Sequence, residues 1–113
     1  MIVGKHFIAD LYGVEAGLIA REGDVRSLVE EVVEQSGLTK VQSLYKQFEP
    51  YGVTGVVLIS ESHISIHTWP EYNLVNLEIF TCGDTSRAEQ AFDLFLKRFA
   101  PASYNSHVLN RGW

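Results

Sequence analysis

The sequence predicts an α+β fold, a two-layer sandwich in which two helices cover one face of a mainly antiparallel sheet. Three observations carry that expectation. Strand-length runs bounded by turn residues recur along the chain, two segments repeat apolar residues at helical spacing, and three of the strand runs follow one another closely. Together they give the order β-α-β-β-β-β-α-β.

The first strand is read from Lys5 to Leu11, where apolar and polar residues mix until Tyr12-Gly13 ends the run. Asp24 offers an N-cap, and Leu28, Val29, Val32 and Val33 then recur at helical spacing until Ser36-Gly37 supplies a stop. From Thr39 to Phe48 alternation returns, with Val41, Ser43, Tyr45 and Gln47 on one face, before Glu49-Pro50-Tyr51-Gly52 breaks the chain. Val56 to Ser60 reads as apolar on both faces, His63 to Trp69 alternates, and Leu74 to Phe80 is rich in Leu, Val and Ile. Ser86 and Glu89 have capping-box spacing. They precede an apolar stripe of Ala88, Ala91, Phe92, Phe95, Leu96 and Phe99 that ends before Pro101, and Ser103 to Leu109 forms a last strand.

A chain of 113 residues, 46% hydrophobic and 20% charged, supplies one core, so residues 1–113 are expected to form a single domain. A net charge of -5 with only nine Lys and Arg weighs against nucleic acid or acidic lipid as partners. Cys82 is the only cysteine, which excludes an internal disulfide and fits a reducing compartment. With neither a signal-like start nor a membrane-length apolar run, the expectation is a soluble cytoplasmic protein. Two helices cover only one sheet face, yet Val56 to Ile59 is apolar on both, so a homodimer is expected to bury the other face.

The chemically informative stretch runs from Gly52 to Gly83 and contains Glu61-Ser62-His63, Ile66-His67-Thr68-Trp69-Pro70-Glu71 and Phe80-Thr81-Cys82-Gly83. Period two puts His63, Ser65, His67 and Trp69 on one face of their strand. His63, His67 and Cys82 are zinc-type ligands, but residues four apart in a strand lie roughly 13 Å apart, too far for one ion without a bend. No metal is expected. Ser62 or Cys82 as a nucleophile with His67 as base is allowed by residue type, but nothing resembles a Gly-x-Ser-x-Gly elbow.

Those three motifs at these intervals resemble the prokaryotic S-adenosylmethionine decarboxylases, small pyruvoyl enzymes of polyamine synthesis. Weaker likeness extends from Gly4-Lys5-His6 and Asp10-Leu11-Tyr12 to Arg111-Gly112. The resemblance implies a proenzyme that cuts itself between Glu61 and Ser62. Ser62 attacks the Glu61 carbonyl in an N-to-O acyl shift, the ester is eliminated, and the resulting dehydroalanine rearranges and loses ammonia to water. A carboxylate is left on Glu61 and a covalent pyruvoyl group at position 62. Chains 1–61 and 62–113 are expected to stay associated as an αβ pair, two of which form the dimer.

By the same resemblance His67 assists processing as an acid or base, and Thr54 assists where the family usually has serine. The extra methyl of threonine restricts its rotamers and predicts slower processing. The pyruvoyl ketone forms a Schiff base with the substrate amine, and Cys82 returns the proton after decarboxylation. Phe48 and Trp69 are expected to stack on adenine and attract the sulfonium, and Glu71 to bind the ribose hydroxyls. The product is the aminopropyl donor for spermidine. Lys46 replaces a frequent histidine, and Leu74-Val75-Asn76-Leu77-Glu78 replaces an alanine-rich stretch with aspartate. A Glu78 aimed into the pocket would favour arginine or ornithine on the same scaffold. A homologue that never processes is the remaining alternative.

Overall fold

A computed structural model describes residues 1–60 and 62–113. Its strands are β1 (Ile2–Tyr12), β2 (Lys40–Gln47), β3 (Val53–Ile59), β4 (Ser62–Trp69), β5 (Leu74–Cys82) and β6 (Ser103–Gly112). The helices are α1 (Ala16–Ile19), α2 (Glu22–Gln35) and α3 (Ser86–Phe99), and Pro70–Tyr72 form a 3-10 turn. One sheet runs β2-β3-β4-β5-β1-β6 with every neighbouring pair antiparallel. This is the expected α+β arrangement, with α1 added: four residues are too few to show a helical period in the sequence.

Alternation decides which face each side chain takes. Phe7, Ala9, Leu11, Val53, Val57, Ile64, Ile66, Val75, Leu77 and Ile79 point to one side and join Val25, Val29 and Val32 of α2 and Phe95 and Phe99 of α3 in a single core. Gly55 is also inward; a Cβ there would come within 2.7 Å of the Tyr45 ring, so glycine is what lets this aromatic cross the sheet. Among the described residues no helix lies on the opposite face. That face exposes Leu44, Val56, Leu58, Trp69 and Leu109.

Val56 to Ile59 is apolar on both faces, as expected, and a single chain buries only one of them: Val57 and Ile59 are buried, while Val56 and Leu58 are 38% and 47% exposed on the open face. β3 starts three residues before the expected Val56. The break expected at Glu49-Pro50-Tyr51-Gly52 ends at Gly52, at φ +107°, and the strand resumes at once with Val53. A register shift between Lys40 and Gln42 turns Val41 outward, away from Ser43, Tyr45 and Gln47. β1 and β6 extend beyond the predicted ends, pairing from Ile2 to Gly112.

Both expected helix caps differ. Asp24 lies inside the first turn of α2, and the Glu22 N–H is instead satisfied by the side-chain oxygen of Gln47, at 2.6 Å. At α3 the Ser86 N–H donates to Asp84 at 2.9 Å, and Thr85 rather than Ser86 reaches Glu89, at 3.3 Å. No described helix is long and apolar enough to cross a membrane.

Candidate active site

Two clefts at opposite ends of the sheet divide the sequence-predicted residues between them. Ser62 opens β4 and Cys82 closes β5; they share a cleft of about 340 Å³ with Leu38, Thr39, Ile59, Ser60, Thr81, Asp84 and Arg87. Glu61, on the other side of the expected cut, lies outside the described residues. Thr54, His67, Trp69, Glu71 and Phe48 line the second cleft, of about 360 Å³.

At the Ser62 end, Asp84 is anchored by the Ser86 backbone N–H. That bond, followed by one from the Ser86 hydroxyl, holds the Asp84 carboxyl below its ordinary range, so Asp84 is ionised at neutral pH, with the Arg87 guanidinium nearby favouring the same state. Arg87 on the same wall donates to the Gly37 carbonyl at 3.1 Å and ties α3 to the end of α2. Cys82 is partly exposed, accessible to a reactant in the cleft. Ser62 shares the inward parity of Ile64 and Ile66, at the end of its strand.

At the other end, the register of β3 against β4 makes Thr54 and His67 direct partners, and the Thr54 hydroxyl lies 3.0 Å from Nδ1 of His67. The two residues expected to assist processing are thus hydrogen bonded to each other. The 48–52 connection brings Phe48 to the same cleft. Its carbonyls at Phe48 and Gly52 both accept from the Gln47 amide, at 2.9 and 3.1 Å, and the Phe48 N–H donates to the Gly52 carbonyl at 2.8 Å. Glu71 sits in the 3-10 turn after Trp69, whose direction is set by Thr68: this buried hydroxyl accepts from the Val53 N–H and donates to the Ile19 carbonyl.

Sequence reasoning missed Gln47 and Thr68. Thr68 had left a signal, since it is a polar residue at an inward position of a strand otherwise filled by Ile64 and Ile66, and buried hydroxyls hold specific bonds. Glu78, considered as a ligand for a basic substrate, does not line the aromatic cleft and instead bonds Nε2 of His6 at 2.8 Å.

The family model of S-adenosylmethionine decarboxylase matches residues 5–112. The chain belongs to this family. It is 69% identical over 112 residues to the S-adenosylmethionine decarboxylase proenzyme of Archaeoglobus fulgidus, covering 99% of this chain and 100% of the relative. The proenzyme of Picrophilus torridus is 48% identical over 110 residues, 97% of this chain and 85% of its own. The crystal structure of the adenosylmethionine decarboxylase from Aquifex aeolicus superposes with a TM-score of 0.95 at 46% identity, over 99% of this chain and 92% of that one. A Trypanosoma brucei AdoMetDC, at 18% identity and TM-score 0.67, covers 92% of this chain but only 45% of that one, and shares the fold.

Proposed function

We propose that this family member is a self-processing, pyruvoyl-dependent decarboxylase of S-adenosylmethionine, supplying the aminopropyl donor for spermidine synthesis. The observation that carries it is the pairing of Ser62 with Cys82 in one cleft and of Thr54 with His67 in another. Position 62 suits the cofactor: the side chain stands at a strand end, beside a thiol that can donate a proton and in a cleft large enough for a substrate's reacting end. A pyruvoyl group formed from Ser62 would stand at this strand end and would supply an electron-accepting carbonyl for loss of carbon dioxide from an amine-bearing substrate. Cys82, in the same cleft, would hold the proton that replaces the departing carboxylate. Phe48 and Trp69 offer exposed aromatic faces to adenine and sulfonium, and the Glu71 carboxylate accepts from ribose hydroxyls. Glu78, engaged by His6, removes the carboxylate that an arginine or ornithine side chain would need here.

The separation of the clefts bears on the oligomer. Ser62 and His67 are five residues apart on one strand, about 16 Å at 3.3 Å per residue, so His67 cannot reach Ser62 of its own chain along β4. Two copies stacked through their open faces, about 10 Å apart and related by a two-fold axis running across the strands, would set each chain's Ser62 end against its partner's aromatic end; Cys82 has open-face parity there, and residue 62 stands at the strand terminus, where the cut would free it from the inward parity of β4. Each active site would then take Ser62 and Cys82 from one chain and Thr54, His67, Phe48, Trp69 and Glu71 from the other.

Denaturing mass measurement on purified protein tests the processing. Fragments 1–61 and 62–113 are expected, the second carrying pyruvoyl in place of its N-terminal serine, whereas Ser62→Ala stays whole and inactive. A wild-type chain found only at full length would defeat both the cofactor and the activity. Release of carbon dioxide from S-adenosylmethionine, arginine and ornithine, measured separately, tests the substrate; turnover confined to either basic amino acid would reject S-adenosylmethionine.

A further inference from the structure

Trp69 is held by a relay that crosses two further strands. Its indole N–H donates to Oδ1 of Asn76 at 2.6 Å, and Nδ2 of Asn76 donates to Oδ1 of Asp10 at 2.7 Å. Asn76 is the direct cross-strand partner of both His67 on β4 and Asp10 on β1, so its amide stands in the His67 row and reaches diagonally to the indole. The orientation of the amide is fixed by chemistry. An indole can only donate and an ionised carboxylate can only accept, so the oxygen must face Trp69 and the nitrogen must face Asp10.

We propose that Asn76 and Asp10 are positioning residues for the substrate, acting through Trp69: together they fix the rotation of the indole ring that forms the wall of the aromatic cleft. Within its own chain Trp69 is 43% exposed, and the bond from its one side-chain polar atom to Asn76 is the directional contact that sets the rotation of the ring. Asn76 cannot be replaced one-sidedly. An aliphatic residue leaves the indole N–H and the Asp10 carboxylate without this partner, and aspartate sets a second carboxylate against Asp10. Exchanging the two residues, Asp10→Asn with Asn76→Asp, restores both bonds, since the amide now on β1 donates to a carboxylate on β5 that also accepts from the indole.

The inference rests on Trp69 facing the nucleoside, and its test separates the two. In a Trp113→Phe background Trp69 is the only tryptophan, so fluorescence anisotropy and acrylamide quenching report on that ring alone. The expected result for processed Asn76→Leu and Asn76→Asp is a KM for S-adenosylmethionine raised about tenfold, with kcat and the extent of cutting held within about twofold, because misplacing a binding group costs affinity without touching the reacting atoms. Trp69 becomes more mobile in both. The Asp10→Asn/Asn76→Asp exchange returns KM and anisotropy to near the parent values, a rescue that general destabilisation would not give. Unchanged KM and anisotropy in Asn76→Leu, with Trp69→Leu raising KM, would overturn the relay and leave the adenine site standing. A mobile Trp69 in Asn76→Leu with KM unaffected by Trp69→Leu would overturn the adenine site, and with it the relay's role in substrate binding.

Discussion

Cys82 and Thr54 illustrate how much a single residue's role depends on its cross-strand neighbour. Cys82 ends β5 in the Ser62 cleft, partly exposed and beside the ionised Asp84 wall. If it delivers the proton after decarboxylation, Cys82→Ala should still cut itself at the normal position, because the acid–base work of cutting is proposed for Thr54 and His67, not for the thiol. Turnover of S-adenosylmethionine should fall about 10²–10⁴-fold, the usual worth of a positioned acid. A processed Cys82→Ala enzyme with wild-type turnover would remove the cysteine from the mechanism. The residue types at Ser62, His67 and Cys82 were legible in the sequence through their motifs. The contact between Thr54 and His67 was not, since residues thirteen apart meet only through the register of β3 on β4, which depends on where the intervening turn falls. Asn76 was invisible as a functional residue for the same reason, its partners being set by two registers at once.

Among the elements, α2 is held to β2 by side chains that no helical or strand pattern encodes. Gln47 caps the Glu22 N–H, and Glu30 accepts from Lys40 at 2.6 Å and from the Tyr45 hydroxyl at 2.7 Å. The period of α2 was readable from Leu28 to Val33. Its start was not, because Asp24 looks like a local cap and the group that satisfies Glu22 arrives from a strand 25 residues away. Burial works to raise the Glu30 carboxyl, but hydrogen bonds from Lys40, Tyr45 and Ser43 outweigh it and hold the group below its ordinary 4.5. A carboxyl with a lowered folded value contributes stability above about pH 4.5, and that contribution is lost as pH falls through the lowered value. Glu30→Gln should therefore destabilise the protein near neutrality by about 1–3 kcal/mol, with the lower half more realistic because Lys40 is half exposed and screened. Urea midpoints across pH 3 to 7 should converge for the two proteins at the acid end. Parallel curves with a constant gap would show that the Glu30 charge is not what couples α2 to β2.

At the scale of the molecule, one chain contains all the expected groups but keeps them at opposite ends of its sheet, and the open face joining those ends exposes Leu44, Val56, Leu58 and Leu109. Patterning made the uncovered face legible in advance, since helices can coat only one side; the division of the site could not be read, because alternation gives faces but not which end of a strand a partner occupies. A shared site predicts complementation. Ser62→Ala lacks the residue to be cut and His67→Ala lacks the proposed acid or base, so neither should process alone. Co-expressed, half of randomly assorted dimers are mixed, and in each the His67→Ala chain presents its intact Ser62 to the partner's intact His67. About half of the His67→Ala chains should then be found cut, while every Ser62→Ala chain stays whole, and mass distinguishes the two directly. Were His67 to act on Ser62 within its own chain, mixing would change nothing and the His67→Ala chains would remain whole in every dimer. Size measurement on the same samples fixes the interpretation, since cutting in trans requires that mixed dimers form, and Leu58→Lys on the exposed face of β3 should abolish both the dimer and the complementation together.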